Sequence, residues 1–205
     1  MYSERIQKII DLFSQFPTVG PRTAARFVFH IIKMSNKEFN HFIDSLKDLK
    51  NKIKTCHFCF NAFEGENELC DICSSPTRNK KILCIVEKES DINSIESIKK
   101  YKWIYFVLGG TISNLKKEDI KKLRIKELEE RLKNPSKFQI PIDNFEEIIL
   151  AINPTTEGEA TILYLKRKLV NFNIKISELG KGLPIGGELE YADEETLTSA
   201  FENRK

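Results

Sequence analysis

Four cysteines in two pairs, Cys56-x-x-Cys59 and Cys70-x-x-Cys73, carry the clearest chemistry in the sequence. A two-residue gap lets both thiolates of a tight turn face one ion, and two such turns complete a tetrahedral set of soft ligands suited to Zn²⁺. The intervening stretch from Phe60 to Leu69 is shorter than in the longer zinc ribbons, so the expectation is a compact knuckle with one structural zinc per chain. Disulfides are the competing account. They require an oxidising compartment, and the charged start Met1-Tyr2-Ser3-Glu4-Arg5 offers no signal peptide to reach one, so a cytoplasmic chain is expected. Four sulfur ligands leave no open position for water or substrate, which argues against zinc catalysis. Cys84, in the apolar run Ile82-Leu83-Cys84-Ile85-Val86, reads as a small buried residue. His57 neighbours a ligand but is left out, since four thiolates already have good spacing.

Arginines and carboxylates are the next candidates. Arg22 and Arg26 stand four apart and so share a helical face. Just before them, Gly20 suits the cap of a new helix and Pro21 its first position. The free N–H groups of that helix start can hold a phosphate oxygen without reading bases. Glu87 closes an apolar run and could hold a metal or act as a base, the alternative being a cap on the next helix. Glu157 and Glu159 fall at a helix start, where negative charge is favourable in any case.

The positioning elements follow from periodicity. Ile6, Ile9, Ile10 and Phe13 make one stripe of a helix ending near Phe16, and the Pro21 helix carries His30, read as packed at its end. A third helix is signalled by the capping box Ser35-x-x-Glu38, with Phe39, Phe42, Ile43, Leu46 and Leu49 read as core. Beyond Cys73 come apolar runs separated by helical stretches. Strands are expected at Lys81–Glu87, Trp103–Leu108 and Ile148–Ile152. The expected helices carry Ile92, Ile95 and Ile98, span Lys116 to Lys133, and run from a cap at Thr156-x-x-Glu159 to about Val170. Such alternation implies a largely parallel sheet, whose ligands gather at strand carboxyl ends near Glu87, Gly109-Gly110 and Asn153-Pro154-Thr155.

The chain has 205 residues, a formal charge of +3 and no apolar run long enough for a membrane helix. Residues 1 to 55 hold ten Lys and Arg against five Asp and Glu, a balance of +5. Residues 176 to 205 hold three against seven, a balance of −4. A basic front suits phosphates and an acidic tail a basic partner.

In order, the sequence offers the hairpin, the four cysteines, Ile85-Val86-Glu87 and Val107-Leu108-Gly109-Gly110-Thr111-Ile112-Ser113. The strings Asn153-Pro154-Thr155-Thr156-Glu157-Gly158-Glu159-Ala160-Thr161 and Gly182-Leu183-Pro184-Ile185-Gly186-Gly187-Glu188-Leu189-Glu190-Tyr191-Ala192-Asp193 complete the set. Together they resemble the RecR family of bacterial recombination mediators over nearly the whole chain. The resemblance implies a multi-part α/β fold. Its parts are a helix-hairpin-helix DNA-binding front (1–54), a four-cysteine zinc finger (55–78), a Toprim domain with a parallel sheet flanked by helices (79–173), and a carboxyl-terminal arm (174–205). It implies a DNA clamp that binds single- and double-stranded DNA without sequence preference. RecO, and in many bacteria RecF, would be its partners in loading RecA at gapped DNA coated by single-strand-binding protein. Two departures from the family pattern are Thr18 in place of a hairpin glycine and Lys116-Lys117-Glu118-Asp119 in place of a Gly-Pro-containing turn.

Toprim enzymes set a strand-end Glu beside an Asp-x-Asp pair to hold Mg²⁺. Here the matching strand ends in Asn153-Pro154-Thr155, and no Gly-x-x-x-x-Gly-Lys-Ser/Thr loop occurs. A non-enzymatic clamp is therefore expected. The alternative is a metal-dependent Toprim nuclease or primase-like enzyme whose acidic site is Glu87, Glu157 and Glu159. In the arm, a short helix is expected from Asp193 through Phe201. Leu183, Ile185, Leu189, Tyr191, Leu197 and Phe201 need cover, either from the chain's own sheet or, as the resemblance implies, from a second subunit of a dimer or tetrameric ring.

Overall fold

A computed structural model describes residues 2–112, 117–202 and 204. The chain divides into two compact units, Met1–Ile53 and Lys54–Lys205. In the first, α1 (Glu4–Ser14) and α2 (Pro21–Lys33) form a hairpin followed by α3 (Asn36–Lys52). Ile10, Ala24 and Val28 are buried between the hairpin helices, with Ile6, Phe13, Val19 and Ala25 packed around them. Gly20 is the cap of α2 and Pro21 its first residue, as expected. The turn is closed by the Val19 N–H donating to the Phe16 carbonyl at 3.1 Å. Thr18 sits there at φ +64°, left-handed backbone that costs a side chain with a Cβ about 1–2 kcal/mol. Thr18 thus keeps a conformation that glycine would adopt without strain.

The third helix starts as expected, with the Ser35 hydroxyl accepting from the Glu38 N–H and Glu38 accepting from the Ser35 N–H. Its apolar residues are not core. Phe39, Phe42, Leu46 and Leu49 are exposed, Ile43 is half-buried, and α3 has no buried residue. Periodicity detects a stripe but not what covers it, and the small cluster between α1 and α2 closes on its own. His30, expected to pack, is exposed as well.

The second unit opens with a two-stranded ribbon of β1 (Ile53–Thr55) and β2 (Ala62–Glu64), then α4 (Asp71–Ser74). There follow β3 (Asn79–Val86), α5 (Glu89–Ser97), β4 (Trp103–Val107), α6 (Lys117–Lys122), α7 (Ile125–Lys133), β5 (Glu147–Ala151), α8 (Thr156–Leu169), β6 (Lys175–Glu178) and α9 (Glu194–Glu202). Four strands form one sheet in the order β4-β3-β5-β6, every pair parallel. Side chains alternate across it. Leu83, Ile85, Ile104, Phe106, Ile148 and Leu150 face the larger core, shared with α7, α8 and the cysteine segment. Cys84, Val86, Tyr105 and Val107 face a smaller one closed by Ile92 of α5. Cys84 is buried, which pushes its thiol up to about 12. Ile98, expected on the inner face of α5, lies past the helix end and is exposed.

The fourth strand has no counterpart in the sequence-based expectations. Lys175-Ile176-Ser177-Glu178 is a mixed, part-exposed edge strand without an apolar run, and it carries the sheet past residue 173, where the Toprim domain was expected to end. Its Ser177 hydroxyl donates to Glu147 of β5 at 2.6 Å. The cap of α8 is Thr155, one residue before the expected Thr156, its hydroxyl accepting from the Gly158 N–H at 3.1 Å. Of the Lys116-Lys117-Glu118-Asp119 departure, Lys116 lies outside the described residues, as does Ser113 of the Val107–Ser113 string, and the remaining three begin α6. No helix among the described residues is long and apolar enough to cross a membrane.

Two expectations follow from this packing. A Cβ on Gly158 would lie 1.8 Å from the Asn153 carbonyl oxygen, because the start of α8 is pressed against the end of β5. Gly158→Ala should therefore destabilise the chain by about 1–3 kcal/mol or more in urea unfolding. Gly182→Ala, with nothing within 4 Å, should stay within about 0.5 kcal/mol of the parent. The second concerns Glu96, held below the ordinary glutamate value of 4.5 by its hydrogen bonds from Arg78. Its lowered folded value means that its contribution is present above the unfolded value and lost as pH falls through the folded one. Glu96→Gln should therefore lower stability at neutral pH and flatten its decline below about pH 4.5, read from unfolding curves across that range.

Candidate metal centre and strand-end site

The knuckle folds as its spacing demands. Cys56 begins a turn closed by Phe60 N–H donating to the Cys56 carbonyl at 3.0 Å, and Phe60 takes φ +64° so that the chain can reverse into β2. The second pair flanks the first turn of α4. All four sulfurs lie within 4.8 Å of one another and all four cysteines are buried. Ligands at the corners of a tetrahedron with metal–sulfur bonds of about 2.3 Å stand about 3.8 Å apart, and Cys59 and Cys70 are separated by 3.6 Å.

Two backbone N–H groups, of Asn61 and Cys70, donate to the sulfurs of Cys59 and Cys56 at 3.4 and 3.3 Å. Sulfur accepts such bonds best as a thiolate. Hydrogen bonding from Cys59 and the other two thiols drives Cys56 far below the ordinary thiol range, while Cys59 and Cys73 are pushed far above it. Four thiolates cannot share so small a buried volume without a cation, so the donor set fits a soft divalent metal. His57 stands outside it, half-exposed, its Nδ1 4.0 Å from Glu68 and its ring against Phe138.

One residue that the sequence reading passed over closes the knuckle from behind. Arg131, on the inner stripe of α7 with Ile125, Leu128 and Leu132, is 4 % exposed. Its guanidinium donates to the carbonyls of Phe58 at 2.8 Å and His57 at 2.7 Å, the two residues between the first pair of ligands. The signal was there: an arginine beside Leu132 and three residues after Leu128 sits on an apolar stripe, where a lone charge is out of place.

At the carboxyl ends of the strands, Glu87 and Asn153 meet, the Asn153 amide donating to Glu87 at 2.7 Å, and the Gly109 N–H donates to the Glu87 carbonyl at 2.9 Å. Glu87 does not cap α5. Asp91 does, accepting from the Lys88 N–H at 3.0 Å. Glu157 is exposed, and Glu159 pairs with Lys181 at 2.7 Å. The three glutamates do not converge: among the described residues the four cysteines are the one group of three or more His, Cys, Asp or Glu with ligand atoms within 4.8 Å. The conspicuous string from Asn153 to Thr161 has packing roles instead. Thr155 caps α8, Gly158 permits its approach to the sheet, and the buried Thr161 hydroxyl accepts from the Ile112 N–H at 2.9 Å, tying down the loop after Gly110. In the first unit, Gly20, Arg22 and Arg26 are all exposed at the start of α2.

Comparison with known proteins matches three segments of the chain. Residues 6–50 match the RecR helix-hairpin-helix family, residues 81–180 the Toprim domain family and residues 182–205 the RecR C-terminal family. The chain is 40% identical over 204 residues to the Recombination protein RecR of Rubrobacter xylanophilus, covering 100% of this chain and 98% of that one. It is 40% identical to its namesake in Cutibacterium acnes, over 100% and 96% of the two chains. With that of Clostridium perfringens the identity is 37%, over 99% and 97%. The alignments thus run from end to end, and the chain belongs to the RecR family of recombination proteins.

Proposed function

We propose that this chain is a non-enzymatic DNA-binding clamp of recombinational repair, acting in the cytoplasm. The observation that carries the reading is the surface of α2. Arg22, Arg26, His30 and Lys33 recur along it at roughly one-turn spacing and, with Tyr2, Ala25 and Phe29, line an open groove. The Arg22 and Thr23 N–H groups at its mouth have no intrahelical acceptor, and Gly20 has no side chain to cap them. Cations and free N–H groups suit backbone phosphate, and the edge-to-face pair of Tyr2 and Phe29, 5.5 Å between centroids, offers ring surface to an unpaired base. Such backbone contacts carry no sequence information, so single- and double-stranded DNA are both expected ligands.

Membership of the RecR family supports the rest. On that likeness the partners are RecO and, in many bacteria, RecF, and the outcome is RecA loading on gapped or single-stranded DNA. The cysteine site is read as one structural zinc per chain, since soft tetrahedral thiolate sets suit that ion. A catalytic Toprim centre is not favoured, because Glu87 is engaged by Asn153 and Glu159 by Lys181. Closure of a dimeric or tetrameric ring is supported by uncovered apolar side chains: Ile185, Leu189, Tyr191 and Phe201 of the arm are all more than half exposed. The arm is irregular through Gly187, and its final helix runs Glu194–Glu202 with the Asp193 carboxylate accepting from the Thr196 N–H at 2.8 Å.

Arg22→Glu combined with Arg26→Glu should weaken binding of labelled single- and double-stranded DNA by on the order of tenfold or more, and reduce the steepness of its salt dependence. The circular dichroism spectrum should not change. Undiminished binding would make the groove a bystander. Truncation after Lys181 should shift the mass measured by light scattering to a smaller species and lower DNA retention, whereas an unchanged mass would mean that the arm packs within its own chain.

A further inference from the structure

Arg131 poses a physical problem that the cysteine site solves. It is buried, and all three of its described hydrogen bonds go to backbone carbonyls, those of Phe58, His57 and Glu127. No carboxylate among the described residues forms an ion pair with it. Its guanidinium lies over the rings of Phe138 and Phe60, 4.2 and 4.5 Å from their centroids. Ring faces and carbonyl oxygens solvate a cation but do not neutralise it, and an uncompensated buried charge is strongly destabilising. The Arg124 guanidinium lies 4.7 Å from the centroid of the same Phe60 ring, which brings a second positive charge into the neighbourhood.

Besides Glu127 and Glu130 on its own helix, the nearby negative charge is in the knuckle. A divalent ion in four thiolates leaves the centre with a net charge of about −2. Arg131 is bonded to the carbonyls of the two residues that separate Cys56 from Cys59. Burial pushes the Arg131 guanidinium down, and Glu127 and Glu130 of its own helix, followed by Cys56 and Cys59, pull it back up. Phe60, the residue after Cys59, is the ring that both arginines cover.

We infer that Arg131 is a positioning residue of the metal centre, whose buried positive charge compensates the four-thiolate site and whose two carbonyl bonds hold the first ligand turn in its metal-binding shape. This inference rests on the reading that the cysteines bind zinc. It assigns α7 a role beyond packing, since the helix carries the counter-charge to a site made wholly from another segment. It also accounts for the choice of residue, because a neutral side chain of similar volume would fill the same space but remove the charge bonded to the first ligand turn.

Zinc content of the purified full chain, followed by chelator competition and by Co²⁺ substitution with its thiolate charge-transfer absorption, tests both levels. The parent protein is expected to hold about one zinc per chain, and less than about a tenth of an equivalent would sink the zinc reading itself. If the parent binds, Arg131→Met should weaken metal affinity about 10–100-fold, as loss of an outer-shell partner does. Arg131→Lys keeps the charge and gives up the paired carbonyl bonds, and should remain within about tenfold of the parent. A Met variant that binds metal as tightly as the parent, or a Lys variant that loses more than about a hundredfold, would overturn the charge-compensating role and leave Arg131 a structural clasp. The Lys measurement decides the matter alone if the Met variant does not fold.

Discussion

Bringing four cysteine sulfurs within 4.8 Å of one another in a buried site is the constraint around which the second unit is organised. The knuckle is not an appendage. Phe58 and the cysteines share one continuous core with β3, β4, β5, α7 and α8, and the Cys59 carbonyl accepts from the Val107 N–H at the end of β4. A metal that fixes the knuckle therefore fixes the wall against which the sheet packs, and binding free energy at such a site is folding free energy. Phe58 also stacks on Phe145, just before β5, so the segment's hold reaches the central strands.

At the other end of the strands the residues around Glu87 are engaged in packing and hydrogen bonds. Glu87 is where a metal-dependent enzyme of this fold would begin, yet its partner is an amide, Asn153, and its neighbours engage one another. Thr155, Gly158 and Thr161 lock the start of α8 to the strand and to the loop after Gly110. A string so distinctive at the sequence level invites a catalytic reading. Its residues are distinctive because each solves a local steric or hydrogen-bonding problem that tolerates few alternatives.

The amino-terminal unit shows how little core a helical hairpin needs. Three buried residues hold α1 to α2, and the basic groove on α2 is left open. Thr18 carries left-handed strain in the turn, while the apolar stripe of α3 and the arm's Ile185 and Tyr191 lie uncovered in the single chain. Apolar area of that kind is costly to leave in water.

Features set by short-range geometry were legible in the sequence. Two-residue spacing of the cysteines, the Gly20-Pro21 helix start, the Ser35–Glu38 capping box and the apolar runs of β3, β4 and β5 each follow from bonding or periodicity within a few residues. Where the outcome depended on what lies opposite, the sequence was silent or misleading. The stripe on α3 looked like core and has no cover; β6 has no apolar run because an edge strand needs a partner on only one side; Thr155 rather than Thr156 caps α8 because the approach to the sheet sets the first turn. Arg131 is the sharpest instance. In the sequence it is one charge in a charged helix, and only the fold, by carrying α7 across to the backs of His57 and Phe58, makes it the buried cation beside four sulfurs. Local spacing determines which atoms can act together, but burial and charge compensation are properties of a neighbourhood, and the tertiary structure alone creates that neighbourhood.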